Sequence, residues 1–294
     1  MASRIKEYFK TFVVTILMIE VNEKIIIKMY LDGISGHKIA AFIGLKSHQV
    51  YYILKKNNIE SRNNSINSKK FQFNENFFES IDSESKAYWL GFLFADGYIL
   101  TNSDSFGLAL STKDISHMEK FLKDISSNHK INVYRNNSNM EYCRVRLYSK
   151  KAKNDLIKVG CIENKTLILD FPKIREDLLH HFIRGYFDGD GSISKTKSKK
   201  SFSYRFRLCG TREFLTGVLN AIGYSSKLYQ RHPERNVNNY DIDIGGNRQV
   251  MDILSFIYKD ATIYLERKYN RFLELKSLCQ EIDNRKLCEN GETL

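Results

Sequence analysis

Two nine-residue stretches, 89–97 (WLGFLFADG) and 183–191 (IRGYFDGDG), follow one pattern ninety-four residues apart. Each has a small residue (Gly91, Gly185), three bulky ones, a second small residue (Ala95, Gly189), then Asp96-Gly97 or Asp190-Gly191. Small residues at i and i+4 share one helical face, so two such helices can meet backbone to backbone. Packed together, they would set Asp96 and Asp190 side by side at the negative ends of both helix dipoles. Two carboxylates there call for a cation between them, and oxygen ligands favour Mg²⁺ over zinc. Asp96 and Asp190 are therefore the expected metal ligands, and each following glycine is expected to permit a sharp exit from its helix.

The flanks repeat as well. The first motif leads into an extended stretch through Thr112, a helical pattern over 117–125, a strand over 142–147, and a helix with Leu156 and Val159. The second leads into a strand over 202–208, a helix over 213–221, a strand over 240–244, and a helix with Val250, Ile253 and Leu254. Tyr142 aligns with Tyr240, so the second copy has gained about four residues, most simply in its basic loop. Both copies read as helix, hairpin, helix, hairpin, helix.

Strand alternation shows where the charge points. In 202–208 (FSYRFRL), Arg205 and Arg207 fall on one face, with Phe202, Tyr204, Phe206 and Leu208 on the other. In 142–147 (YCRVRL), Arg144 and Arg146 oppose Cys143, Val145 and Leu147. The loop 195–200 contributes Lys195, Lys197, Lys199 and Lys200, so 195–207 holds six basic residues and no acidic one. Sheets with helices behind and arginines in front form a nucleic-acid platform. Asp241 and Asp243, on the outward face of the last strand, either accept from cytosine amino groups or pair with nearby arginines, the second being preferred.

Whole-chain composition agrees. The 294 residues suit about two domains, and 46 Lys+Arg against 34 Asp+Glu give a net charge of +12, which points to a polyanionic partner. No membrane is expected, since the apolar run from Phe12 to Ile19 spans eight residues, far short of a span. The five cysteines are odd in number, scattered and never in a C-x-x-C pair, so neither a disulfide framework nor a cysteine zinc site is supported. The expected location is intracellular, not secreted, with residues 1–20 unassigned.

From Asn22 to Arg62 the pattern is three short helices, broken at Gly33 and Gly44. Ser47 stands as the N-cap of the third, whose buried stripe is Val50, Ile53 and Leu54. The stretch 31–59 (LDGISGHKIAAFIGLKSHQVYYILKKNNI) resembles the helix-turn-helix of resolvases and invertases. In that reading Ser47, His48, Tyr51 and Lys55 approach base edges, while Lys46 and Lys56 contact phosphates. A helical bundle docked on the rest of the chain is the competing reading. Residues 63–74, rich in Asn and Ser, read as a linker.

The two motifs and their flanks, over 84–275, resemble the LAGLIDADG homing endonucleases in their single-chain, two-motif form. The resemblance implies an α+β fold: two pseudo-symmetric αββαββα halves (84–170 and 176–280) in a domain over 75–280. Their antiparallel sheets form a saddle over double-stranded DNA, with the all-α helix-turn-helix domain (22–62) as an appendage. It implies a monomeric, site-specific endonuclease that hydrolyses both strands at a long site, with divalent metal on Asp96 and Asp190. A lysine near the site is common in the family, and alignment at the strand end selects Lys150 in the first half. Asn247 and Arg248 stand there in the second. The family's polar position below the motif aligns with Thr112 and Gly210. The sixth motif position is Asp188 in the second copy and Phe94 in the first, with little functional loss expected.

Two further functions fit the same scaffold. One is a non-catalytic transcription regulator, against which the retention of both carboxylates speaks. The other is an RNA maturase whose partner would be its own intron RNA. An EF-hand at 188–199 is rejected because Lys199 stands where a glutamate is needed, and His180 and His181 point in different directions, which argues against a metal role. Trp89 and the motif aromatics are expected in the core.

Overall fold

The computed structural model describes residues 23–60, 71–136, 139–197, 202–235 and 237–289, with side chains through 285. The chain divides between residues 70 and 71 into two compact units.

The first unit has helices α1 (residues 23–31), α2 (Gly36–Ile43) and α3 (Ser47–Lys56). Ile26, Tyr30, Ile39, Ala40, Val50 and Leu54 form its core. Ser35 caps α2 by accepting from the Lys38 amide, and Gly44 ends it at φ 73°, a left-handed conformation that suits glycine. The cap of α3 differs from expectation. Its N-cap is Lys46, whose amide donates to Gln49 Oε1 at 2.9 Å, and Ser47 is the first helical residue.

The second unit repeats one sequence of elements. Its first half runs α4 (Glu84–Asp96), β1 (Gly97–Ile99), β2 (Ser105–Ser111), α5 (Ile115–Asp124), β3 (Asn132–Arg135), β4 (Glu141–Tyr148) and α6 (Lys150–Lys158). Its second half runs α7 (Leu179–Asp190), β5 (Gly191–Lys197), β6 (Phe202–Gly210), α8 (Arg212–Ile222), β7 (Leu228–Gln230), β8 (Tyr240–Gly245) and α9 (Asn247–Ile257), followed by α10 (Glu266–Glu289). The sheets have the orders β1-β2-β4-β3 and β5-β6-β8-β7, antiparallel throughout. Identical order in both halves is the duplication read in the sequence, now as topology. The second copy is longer at its first hairpin, where β5 pairs with β6 out to Lys197 and Phe202.

Helices cover one face of each sheet. Phe106, Leu108, Cys143, Val145 and Leu147 from one sheet, and Tyr204, Phe206, Leu208, Ile242 and Ile244 from the other, enter the same core. Trp89 is fully buried there and donates Nε1 to Asp124 at 2.6 Å. The start of this unit corrects the linker boundary. The Asn74 amide donates to Ile125 O at 2.8 Å and the Gln72 amide to Asn128 Oδ1 at 2.6 Å, so 71–74 belong to the folded unit. Residues 63–70 lie outside the described residues.

Candidate active site and nucleic-acid interface

The site is built where α4 crosses α7. A Cβ on Gly91 would stand 2.0 Å from Phe182 O, and one on Gly185 would stand 1.9 Å from Tyr88 O. The two helices therefore touch through their backbones at these glycines, as the small-residue spacing requires. One turn on, a Cβ on Gly189 would fall 2.3 Å from the Ala95 Cβ and 3.2 Å from Asp96 Oδ2. The crossing thus carries Asp96 to the end of the opposite helix, beside Asp190.

The reason for glycine after each aspartate differs from expectation. Gly97 and Gly191 have φ −78° and −90°, open to any residue. Space decides instead: a Cβ would lie 2.4 Å from Leu93 O at Gly97 and 2.1 Å from the Phe187 ring at Gly191.

Electrostatics mark the pair as strained by like charge. Burial, then the neighbouring Asp190 carboxylate, push Asp96 up to about 6. Burial raises Asp190 too, and Lys165, Lys268 and Arg231 oppose that rise. Lys165 and Lys268 play matching parts in the two halves. Lys165 Nζ donates to Gly97 O, directly after the first motif. Lys268 Nζ donates to the carbonyls of Phe187 (2.6 Å), Asp188 (2.8 Å), Gly189 (3.3 Å) and Gly191 (2.5 Å). Each lysine thus neutralises the negative end of a motif helix. Burial pulls Lys268 down to about 8 against the opposing carboxylates. A cleft of about 220 Å³ beside the pair is lined by Ala95, Lys165, Tyr186, Asp190, Cys209 and Arg231, among others.

These contacts correct two sequence assignments. In the register, Gly97 pairs with Leu108, and Leu108 with Val145. β4 then runs away from the Asp96 end and finishes at Tyr148; Ser149, whose amide donates to Asp104 O in the β1–β2 turn, caps α6, and Lys150 opens that helix at the far end of the sheet. Lys150 is exposed, and it is Lys165 and Lys268 that act on the carboxylates. No motif marks either lysine in the sequence, because each arrives from a segment after the last helix of its half. Thr112 lies past the end of β2, and Gly210 has the inward parity of β6, so their neighbours Ser111 and Cys209 are the ones that face outward. Ser111 pairs with Tyr142, and Cys209 with Asp241, on the outward parity. Cys209 Sγ lies 3.6 Å from Asp190 O.

The sixth motif position proves structural. Asp188 is buried and accepts from Tyr88 Oη (2.7 Å), Tyr258 Oη (3.1 Å) and the Leu265 amide (2.8 Å), holding the chain after α9 onto α7. Phe94 instead packs on Phe182. His180 and His181, expected to point in different directions, lie instead ring against ring, their centroids 3.8 Å apart at a 38° tilt, with burial depressing both; among the described residues no group of three or more His, Cys, Asp or Glu converges on a metal position.

The outward sheet faces differ between halves. On the first, Arg144 and Arg146 stand outward as expected. Arg144 lies 5.0 Å over the Tyr134 ring and Arg146 4.8 Å over Tyr148, while Arg146 donates to Ser105 Oγ (3.0 Å) and Ser103 Oγ (3.1 Å). On the second, Arg205 and Arg207 are exposed as expected, and both pair with Asp243, at 2.8 and 2.9 Å. Arg231 pairs with Asp241 at 3.0 Å. The acidic residues of the last strand therefore pair with arginines.

Lys195 departs from expectation. It pairs in register with inward-facing Tyr204, and its Nζ bonds Glu274 on α10 at 2.9 Å, on the helix side of the sheet. Lys197 shares that parity through Phe202. Lys199 and Lys200 lie outside the described residues.

In the first unit, His48 and Lys55 are exposed on α3. Tyr51 is half-buried, its ring at the Gly36 backbone and edge-on to His37. Tyr52, 69% exposed, takes the outward place assigned to Tyr51. Lys56 forms an ion pair with Glu23 at 3.0 Å.

Two αββαββα halves joined through glycine-paired helices, with a carboxylate at each helix end, define the architecture expected of a two-motif LAGLIDADG chain. Residues 177–258 match the family model described as a LAGLIDADG-like domain. Three solved structures are similar at a distance. The LAGLIDADG homing endonuclease I-GzeII in complex with its DNA target is 13% identical, covering 71% of this chain and 93% of that one, with a TM-score of 0.48. The LAGLIDADG meganuclease I-CpaMI bound to uncleaved DNA is 11% identical, covering 72% and 96%, also at 0.48. The LAGLIDADG homing endonuclease I-LtrWI bound to target DNA is 12% identical, covering 69% and 92%, at 0.47. Comparison with curated proteins returns no match.

Proposed function

We propose that this protein is a site-specific DNA endonuclease of the homing type, hydrolysing a phosphodiester on each strand of a long duplex site. The observation that carries this reading is the crossing of α4 and α7, which sets Asp96 against Asp190 despite their mutual repulsion. A structural role would not need two carboxylates there.

The donor set fits a divalent cation. Asp96 and Asp190 offer hard oxygen ligands of the kind that would hold Mg²⁺. Magnesium bound there supplies Lewis acidity and neutralises charge at the scissile phosphate. The chain's own residues do the rest. Asp96 and Asp190 hold the cation, and Lys165 and Lys268 add fixed positive charge at the ends of the motif helices. Arg144 and Arg146 on one sheet, and Arg205 and Arg207 on the other, hold the duplex. His48, Tyr52 and Lys55 of the first unit add contacts outside the saddle. The active unit is one chain, because both halves of the site lie within it.

The test is cleavage of a randomised duplex library and host genomic DNA with Mg²⁺, with ends mapped by sequencing and an EDTA control. Ends should converge on one long site and disappear in Asp96→Asn and in Asp190→Asn while binding persists. Selective binding by the wild-type chain without any cut would replace this reading with that of a regulator.

A further inference from the structure

We infer that Asp243 makes the second half of the saddle a guanine reader, so that the two half-sites are recognised by different physics. The inference rests on the endonuclease reading only for the presence of a bound duplex. Arg207 Nε donates to Asp243 Oδ2, with its Nη2 in ion-pair contact with the same oxygen, and Arg205 Nη1 donates to Oδ1. Both carboxylate oxygens are thereby occupied by arginines, so Asp243 is not itself the base reader. Its effect falls on its partners.

A carboxylate between two arginines is a poor device for gripping phosphate. It cancels much of their net charge and repels the backbone, whereas phosphate affinity grows with net positive charge. It is a good device for reading bases, because it fixes each guanidinium plane in advance and still leaves donors free on both forks. Arginine donors pair with guanine O6 and N7 in the major groove. Arg205 and Arg207 sit two residues apart on one face of β6, about 6.6–6.8 Å along the strand. That spacing matches two base steps of about 3.4 Å each. The second half-site is therefore expected to carry two guanines on one strand separated by a single base.

The first sheet lacks this device. Among the described residues neither Arg144 nor Arg146 forms an ion pair; their partners are tyrosine rings and serine hydroxyls. Their charge is uncancelled, which suits backbone grip.

Binding selection on the full chain tests this, using a randomised duplex library with EDTA to hold cleavage off. The wild-type chain should enrich guanine-x-guanine in one half-site by about tenfold or more at each position. Asp243→Asn should erode both preferences, and log K against log salt should steepen by about one as the freed arginines turn to phosphate. Arg205→Gln, at a half-exposed side chain, should relax one of the two positions and serves if Asp243→Asn melts early. Arg144→Gln with Arg146→Gln should weaken binding without touching the guanine preference. A selected long site without the guanine pair, or an Asp243→Asn chain with unchanged preference and salt slope, overturns this inference alone. A wild-type chain that selects no site overturns it together with the endonuclease reading.

Discussion

Lys268 gives its ammonium to four carbonyls around the end of α7, and Lys165 gives its own to the carbonyl after α4. Under the proposed endonuclease reading, their charge on Asp96 and Asp190 makes them the candidates for the cationic role that alignment placed on Lys150. Lys165→Met and Lys268→Met should each slow cleavage on the order of 100-fold, the scale of losing one electrostatic stabiliser. Lys150→Ala should stay within about twofold, as for an ordinary surface change. Single-turnover kinetics on the mapped site would separate these outcomes. His117 offers a second residue-scale prediction. Its fully buried ring donates Nε2 to Tyr88 Oη at 2.9 Å, since the single Tyr88 proton goes to Asp188. Burial depresses it from 6.5 to about 4. The unfolded chain therefore binds the proton first, and the stability from neutral His117 is full above about 6.5 and lost as pH falls toward 4. Asp96, with its raised value, works in the opposite direction over the same window. The difference between wild-type and His117→Phe chains isolates the histidine. It should change by about 2 kcal/mol between pH 7 and pH 5, read by urea unfolding.

The α4–α7 crossing works because carbonyls sit where side chains would otherwise be. Gly185→Ala places a methyl 1.9 Å from Tyr88 O, a rigid main-chain atom. The helices must separate, at a cost of about 2–3 kcal/mol, visible as a lowered urea midpoint. Separation also moves Asp96 away from Gly189 and Asp190, so cleavage should fall in the molecules that remain folded. A variant that unfolds earlier yet cuts at the wild-type rate would show that the carboxylate pair does not depend on the crossing. At the element scale the sequence was informative. The i, i+4 small residues announced the crossing, and period-two alternation assigned Arg144, Arg146, Arg205 and Arg207 to the outward faces. It failed for Lys195, because its parity depends on where β5 begins to pair with β6, which a basic loop of unknown length conceals.

At the scale of the whole molecule, the chain holds two units with separate cores. Removing residues 1–70 should leave the second unit folded and cutting the same site, since neither carboxylate, lysine nor sheet lies in the part removed. Affinity should fall by about tenfold or more, because linked binding surfaces raise each other's effective concentration. Equilibrium binding to the mapped site, with and without its flanking sequence, measures this. Unchanged affinity would remove the first unit from DNA contact and leave the docked-bundle reading.

The sequence by itself determined the duplication, the α+β order of each half, the outward arginines and the two aspartates. These features follow from periods of 3.6 and 2 residues, which the backbone imposes locally wherever they occur. Tertiary structure alone decided which lysines bring their charge to the carboxylates, that Ser111 and Cys209 face outward in place of their neighbours, and that Tyr52 faces outward where Tyr51 packs on Gly36. It also decided that glycine follows each aspartate for lack of space and not for its backbone freedom. Each of these depends on atoms far apart in the chain or on a register one residue either way, and local periodicity carries no record of packing across a crossing or of pairing across a sheet.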